Sequence, residues 1–385
     1  MNIQIKNRGW KVSVVLGAMF VLAALNILTL ITWRGATATD CDVGHNFINP
    51  RFECGFKNII DKREYSELKS QLRTYIEQKE NEGTVSDVSI WFRDLEAGPT
   101  FGIDEREDFV PASLLKLPLV ITFLEMAEDT PALLQQRITY GNIVAGPSQV
   151  FAPGDPLQKG MTYTIDELIT HTMVYSDNNA AQLLYEYLLR YYPEALSDTY
   201  RDLGIIDPGT NLNMASVNTK EYGSIFRMLY NVSFLDVEMS EKLLALLVRS
   251  DFKDGIGRGI PGNLVLANKF GERSDLSDNQ RQLHDCGIVY YPGNPYQLCV
   301  MTRGADFKNL QEIIAEISRM VYEEVDSRRI ASSPQNSDFS VRMLKNALSV
   351  LGQAFWTPAS DISARNLTAL NAKNAIFDPK RGNLE

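Results

Sequence analysis

Pro111-Ala112-Ser113-Leu114-Leu115-Lys116 runs directly into Leu117-Pro118-Leu119-Val120-Ile121-Thr122-Phe123-Leu124. Ser113 and Lys116 stand three residues apart, so on a helix they share a face, one turn apart. A serine hydroxyl is a poor nucleophile at neutral pH until a neighbouring base takes its proton. Lysine serves as that base only when its amine is at least partly neutral, a state favoured by desolvation and by nearby positive charge. The apolar residues around Lys116 offer such a setting. The same spacing also describes an amphipathic helix start with a lysine reaching to solvent, and S-x-x-K alone does not separate the two.

Two further stretches do. Tyr175-Ser176-Asp177-Asn178-Asn179-Ala180-Ala181 opens an apolar helix, and Leu264-Val265-Leu266-Ala267-Asn268-Lys269-Phe270-Gly271 reads as a buried strand ending in glycine. The order S-x-x-K, S-D-N, K-x-G resembles the class A serine β-lactamases and related penicillin-binding proteins. The resemblance runs from about residue 85 to 325 and leaves out the N-terminal segment and the last sixty or so residues. It implies that Ser113 attacks a carbonyl carbon and Lys116 holds or accepts its proton. Ser176 would relay a proton to the leaving nitrogen, Asn178 would bind a substrate amide and orient Lys116, and Lys269 would bring positive charge to Ser176 and a substrate carboxylate. Backbone N–H groups of Ser113 and of Glu272, just past the strand, would hold the oxyanion. Gly271 would let substrate lie along the strand without a side chain in the way. Ser-Asp-Asn before a helix is equally a capping signature, and both roles can coexist.

Departures from the family pattern are as informative. Phe270 stands where the family has threonine or serine, which puts carboxylate recognition in doubt; Arg273, Arg281 and His284 are the nearby groups that could substitute. Class A enzymes activate the deacylating water with a glutamate in E-x-x-L-N. Here the nearest match is Gly209-Thr210-Asn211-Leu212-Asn213, and no glutamate occurs between Glu194 and Glu221. Asp202 and Asp207 are the carboxylates within that segment, and Asp207 precedes Pro208 in a turn context.

The 385 residues carry a net charge of −10, which argues against a nucleic-acid partner. Residues 12–33 contain no charged side chain and, at about 1.5 Å per residue, could cross a bilayer. Lys6, Arg8 and Lys11 precede them, so the N-terminus is expected in the cytoplasm and the rest outside. The run reads as an uncleaved signal anchor; a signal peptide cleaved after Ala36-Thr37-Ala38 is the alternative, and either exports the remainder. Four cysteines suit that location. Cys41 and Cys54 are the better disulfide pair. Cys286 and Cys299 face each other across a hairpin turning at Pro292-Gly293, either bridged or as buried thiols. No C-x-x-C or H-E-x-x-H occurs, so no metal is expected.

Helical spacing marks 61–80, 113–128, 165–174, 178–191, 219–230, 237–249 and 308–326. Strands are expected at 85–95, 100–103, 265–270, 286–291 and 297–302, with a further short helix near 341–351. The expected fold is α/β (α+β): an antiparallel sheet of about five strands flanked by the N- and C-terminal helices, plus an inserted all-helical lobe. The expected organisation is a cytoplasmic 1–11, an anchor at 12–33, a linker at 34–60 with Cys41 and Cys54, a hydrolase domain at 61–330, and a partly disordered tail at 331–385. The resemblance implies a membrane-anchored serine hydrolase, monomeric and cofactor-free, forming an acyl-serine with a β-lactam or peptidoglycan-peptide substrate and deacylating slowly. A D-alanyl-D-alanine peptidase and a non-catalytic binding or sensing module of the same fold are the alternatives.

Overall fold

The computed structural model describes residues 46–49, 65–96, 99–141, 149–205, 216–274 and 280–332. The expected anchor, Cys41, Cys54, Asp207, the 209–213 segment and the helix at 341–351 lie outside these residues. Among the described residues no helix is long and apolar enough to cross a membrane. The chain divides into Met1–Val325 and Asp326–Glu385; of the second unit, the described residues end the last helix.

Helix α1, Ser66–Asn81, is followed by strands β1, Asp87–Asp94, and β2, Thr100–Ile103. A 3₁₀ turn, Ala112–Leu115, leads into α2, Lys116–Asp129. A small hairpin of β3, Arg137–Thr139, and β4, Thr162–Thr164, comes next. Then follow α3, Ile165–Val174, α4, Asn178–Tyr191, α5, Ala195–Leu203, α6, Thr219–Tyr230, and α7, Val237–Val248. Strands β5, Val265–Ser274, β6, Arg281–Tyr290, and β7, Tyr296–Gly304, precede α8, Phe307–Ser332. The sheet is antiparallel throughout, in the order β2-β1-β7-β6-β5.

Strand alternation sends side chains to two separate cores. Val88, Ile90, Phe92, Leu266, Leu283, Leu298 and Val300 meet Leu68, Leu72 and Ile76 of α1 and Leu310, Ile314, Ile317 and Val321 of α8. Ala267, Cys286, Ile288, Cys299 and Met301, on the other face, meet the helical lobe. Full burial of each large apolar side chain contributes about 1.5–3 kcal/mol, so both faces hold the sheet between layers.

Strand β5 exceeds its apolar pattern. β5 was expected to end at Gly271, yet its pairing with β6 continues through Glu272↔Leu283 to Ser274↔Arg281. Glu272 therefore lies within the strand, not past it. Cys286 and Cys299 are register partners on β6 and β7 and form a disulfide, which decides between the two readings left open. Helix α5 and the β3–β4 hairpin were not expected from the sequence.

Candidate active site

Ser113 is not on an α-helix. It lies in the 3₁₀ turn, and α2 begins at Lys116. At three residues per turn, positions i and i+3 eclipse, and Lys116 Nζ is 2.9 Å from Ser113 Oγ. The turn is fixed from three sides. Ala112 enters it at φ +49°, a strained value for a residue with a Cβ. The Tyr222 hydroxyl of α6 donates to Leu114 O at 3.0 Å. Gly271 of β5 packs so closely that a Cβ there would lie 2.8 Å from Pro111 O and 3.0 Å from Leu114 Cγ. The missing side chain thus makes room for the nucleophile's own turn.

The Ser-Asp-Asn stretch divides its two roles between residues. Asp177 caps α4, accepting from Asn179 N at 2.7 Å and Ala180 N at 3.1 Å, and also accepts from Leu157 N. Ser176, at φ +52°, is released from capping. Its hydroxyl accepts from Lys269 Nζ at 2.8 Å and lies 3.2 Å from Lys116 Nζ. Lys116 also donates to Asn178 Oδ1 at 2.5 Å and to the Ser176 carbonyl. Gln149 steadies this corner by donating to Ser176 O at 2.9 Å and accepting from Asn178 N at 3.1 Å.

Lys269 is only 1 % exposed and Lys116 7 %. Burial, then the charge of Lys269, pushes the Lys116 amine well below the usual lysine range, while Asp177 and Glu272 pull the other way. Burial lowers Lys269 to about 7, opposed by Asp285, Asp251 and Glu272. Asp285 is itself buried and raised to about 6 by desolvation, and it accepts from Asn268 Nδ2 at 2.9 Å and Ile256 N at 2.8 Å. The unbroken chain Ser113–Lys116–Ser176–Lys269 joins a nucleophile to an amine of weakened basicity, then to a second hydroxyl beside a cation. Such a chain can take a proton from Ser113 and deliver one near Ser176.

Two of the groups offered as substitutes for the family's carboxylate site, His284 and Arg281, are otherwise engaged. Phe270 is turned into the core beneath the sheet, 2 % exposed and stacked on Phe252 at 4.2 Å, so it does not fill the cleft. Its ring lies 4.6 Å from Lys269 Nζ, a cation–π approach. His284 is buried, with Nε2 3.0 Å from Val110 O, and burial drops its pKa to about 4. Arg281 donates to Ala305 O and covers the Phe307 ring. The Glu272 side chain, half-buried, accepts from Val150 N at 2.9 Å and Phe151 N at 3.0 Å. Asp202 is exposed on α5.

The structure thus brings Ser113, Lys116, Ser176, Asn178, Lys269, Gly271 and Glu272 into one locality. Gln149, Tyr222 and Asp285 were missed. Tyr222 stood on an expected helix, but nothing in the sequence pairs these three with the motifs. Among the described residues no group of His, Cys, Asp and Glu is placed to hold a metal ion.

Comparison with known proteins places the fold. A β-lactamase of Bacteroides uniformis is 23% identical over 295 residues, covering 71% of this chain and 95% of its own. The solved structure of PBP-A superposes with a TM-score of 0.57 at 18% identity, over 69% of this chain and 98% of that one. A class A β-lactamase from Mycobacterium abscessus gives 0.56 at 22% identity, over 66% and 99%. Residues 67–325 match the model of the β-lactamase enzyme family, and the chain belongs to that family.

Proposed function

We propose that this protein is an exported, membrane-anchored serine hydrolase that forms an acyl-serine at Ser113 and releases it slowly. The observation that carries the reading is the contact of Lys116 Nζ with Ser113 Oγ at 2.9 Å, continued through Ser176 to Lys269 at 2.8 Å. Neutral Lys116 takes the Ser113 proton as Oγ bonds to the carbonyl carbon. The tetrahedral adduct collapses as the carbonyl–nitrogen bond breaks, and the Ser176 hydroxyl gives the leaving nitrogen its proton. That hydroxyl is reprotonated from the lysines. Backbone N–H groups of Ser113 and Glu272 hold the oxyanion, and Asn178 holds the substrate amide.

Release needs a water activated at the acyl carbonyl, and the family's glutamate is absent from the sequence between Glu194 and Glu221. General-base assistance is worth about 10²–10⁴-fold, so the acyl-enzyme persists. The same absence favours a second reading, a D-alanyl-D-alanine peptidase acting on peptidoglycan, which uses the Ser/Lys/Ser set without that glutamate.

The test is intact-mass analysis of the full chain with a labelled penicillin over time. A stoichiometric adduct on Ser113 that outlasts the burst, and is lost in Ser113→Ala, supports the reading. Rapid steady hydrolysis without a burst removes the slow-release part. No adduct with any β-lactam or acyl-peptide probe leaves the binding module of the same fold.

A further inference from the structure

Residues 149–151 tie the helical lobe to β5. Gln149 holds Ser176 and Asn178, while the Val150 and Phe151 N–H groups both donate to Glu272 Oε1. The Phe151 ring then packs edge-on to Phe252, Phe270 and Phe307. Glu272 follows Gly271, which lies against the turn of Ser113. Its second oxygen, Oε2, is buried and has no hydrogen-bond partner. The carboxylate is close enough to Lys116 and Lys269 to interact with both charges.

Two physical consequences follow. A charge shielded from water is poorly screened, so Glu272 offsets part of the positive field that Lys269 would offer an anionic substrate. An unpartnered buried oxygen accommodates an entering donor and opposes an entering acceptor. The hydroxyl that would compensate is replaced by the Phe270 ring, and His284 and Arg281 are engaged elsewhere.

We infer that Glu272 is a specificity-determining residue, selecting acyl donors that present a neutral N–H-bearing group, such as a carboxamide, where a carboxylate would otherwise sit beside the scissile carbonyl. This rests on acylation of Ser113 and names the substrate class of that site.

The test uses two hippuryl thioesters whose leaving thiols end in a carboxylate or a carboxamide. The rate constant for Ser113 acylation is read by intact mass, each divided by that donor's rate with free hydroxide. The native chain favours the carboxamide by about 10- to 100-fold, the span of one hydrogen bond to a charged group. Glu272→Gln keeps an oxygen for Val150 and Phe151 while removing the charge, and brings the ratio toward unity. Equal or faster acylation by the carboxylate donor in the native chain overturns the inference, as does a ratio unchanged in Glu272→Gln; both leave the acyl-serine reading standing. Failure of both thioesters and of penicillin to label Ser113 overturns the two together.

Discussion

Two buried lysines share one serine, and burial lowers the basicity of both. Lys116 lies well below the ordinary range and Lys269 at about 7. In the proposed mechanism the first must be neutral and the second charged. Acylation should therefore fall on the alkaline side with a midpoint near pH 7, and on the acid side as Lys116 gains its proton; the pair titrates as a coupled system. Lys269→Arg, whose guanidinium stays charged, should move the alkaline limb upward in a pH–rate profile; an unmoved limb would remove Lys269 from the assignment. Lys116→Ala should slow acylation by about 10²–10⁴-fold, read as time-resolved adduct formation. Stability has its own sign. The folded pKa of Lys269 is below its unfolded value, so between about 7 and 10.5 the unfolded chain binds more protons. This lysine consequently costs stability at low pH, and the cost fades as pH rises through that window. Lys269→Met should raise the unfolding free energy at pH 6 by on the order of 3 kcal/mol, measured by urea titration, while abolishing acylation.

Elements carry the alignment that individual residues cannot. Gly271 and the 3₁₀ turn are in contact only because β5 runs past the nucleophile. Gly271→Ala must push Pro111 O or Leu114 aside, and should cost about 1–3 kcal/mol in stability with a larger loss of acylation. Acylation unchanged at lowered Tm would confine that glycine to packing. The β6–β7 disulfide predicts that Cys286 and Cys299 resist alkylation in the unfolded chain until reductant is added; labelling without reductant would show free thiols. The sequence revealed these elements unevenly. Helices with apolar residues at regular spacing, such as α3, α4 and α6, were legible because burial demands that spacing. The end of β5 was not, because Glu272, Arg273 and Ser274 continue a backbone ladder after the apolar pattern stops. Helix α5 was missed because it is only nine residues long and Thr199 takes a place on its buried face beside Tyr200 and Leu203. Ser113, Lys116, Ser176 and Lys269 were legible as residue types in a fixed order. Gln149, Tyr222 and Asp285 act on residues 17 to 108 positions away or across a sheet, which no local pattern encodes.

For the whole molecule, the family, the two-sided sheet and the inserted helical lobe agree with the expectation from the motifs. The proposed anchor at 12–33 predicts that protease added to cells with any outer barrier opened digests the part after Arg34 and spares the N-terminus; the reverse pattern would invert the orientation. One further consequence comes from β5 being the last strand of its sheet. Among the described residues no strand pairs with its outer margin, and an unpaired margin is a template on which another chain can add. Here Glu272 accepts from the N–H groups of Val150 and Phe151, so a charge and a held segment accompany that strand. Evolution toward a roomier cleft by loosening that segment would therefore also uncover a sheet margin. Loss of those two hydrogen bonds is therefore expected to raise self-association, read by light scattering of a Glu272→Ala variant against the native chain.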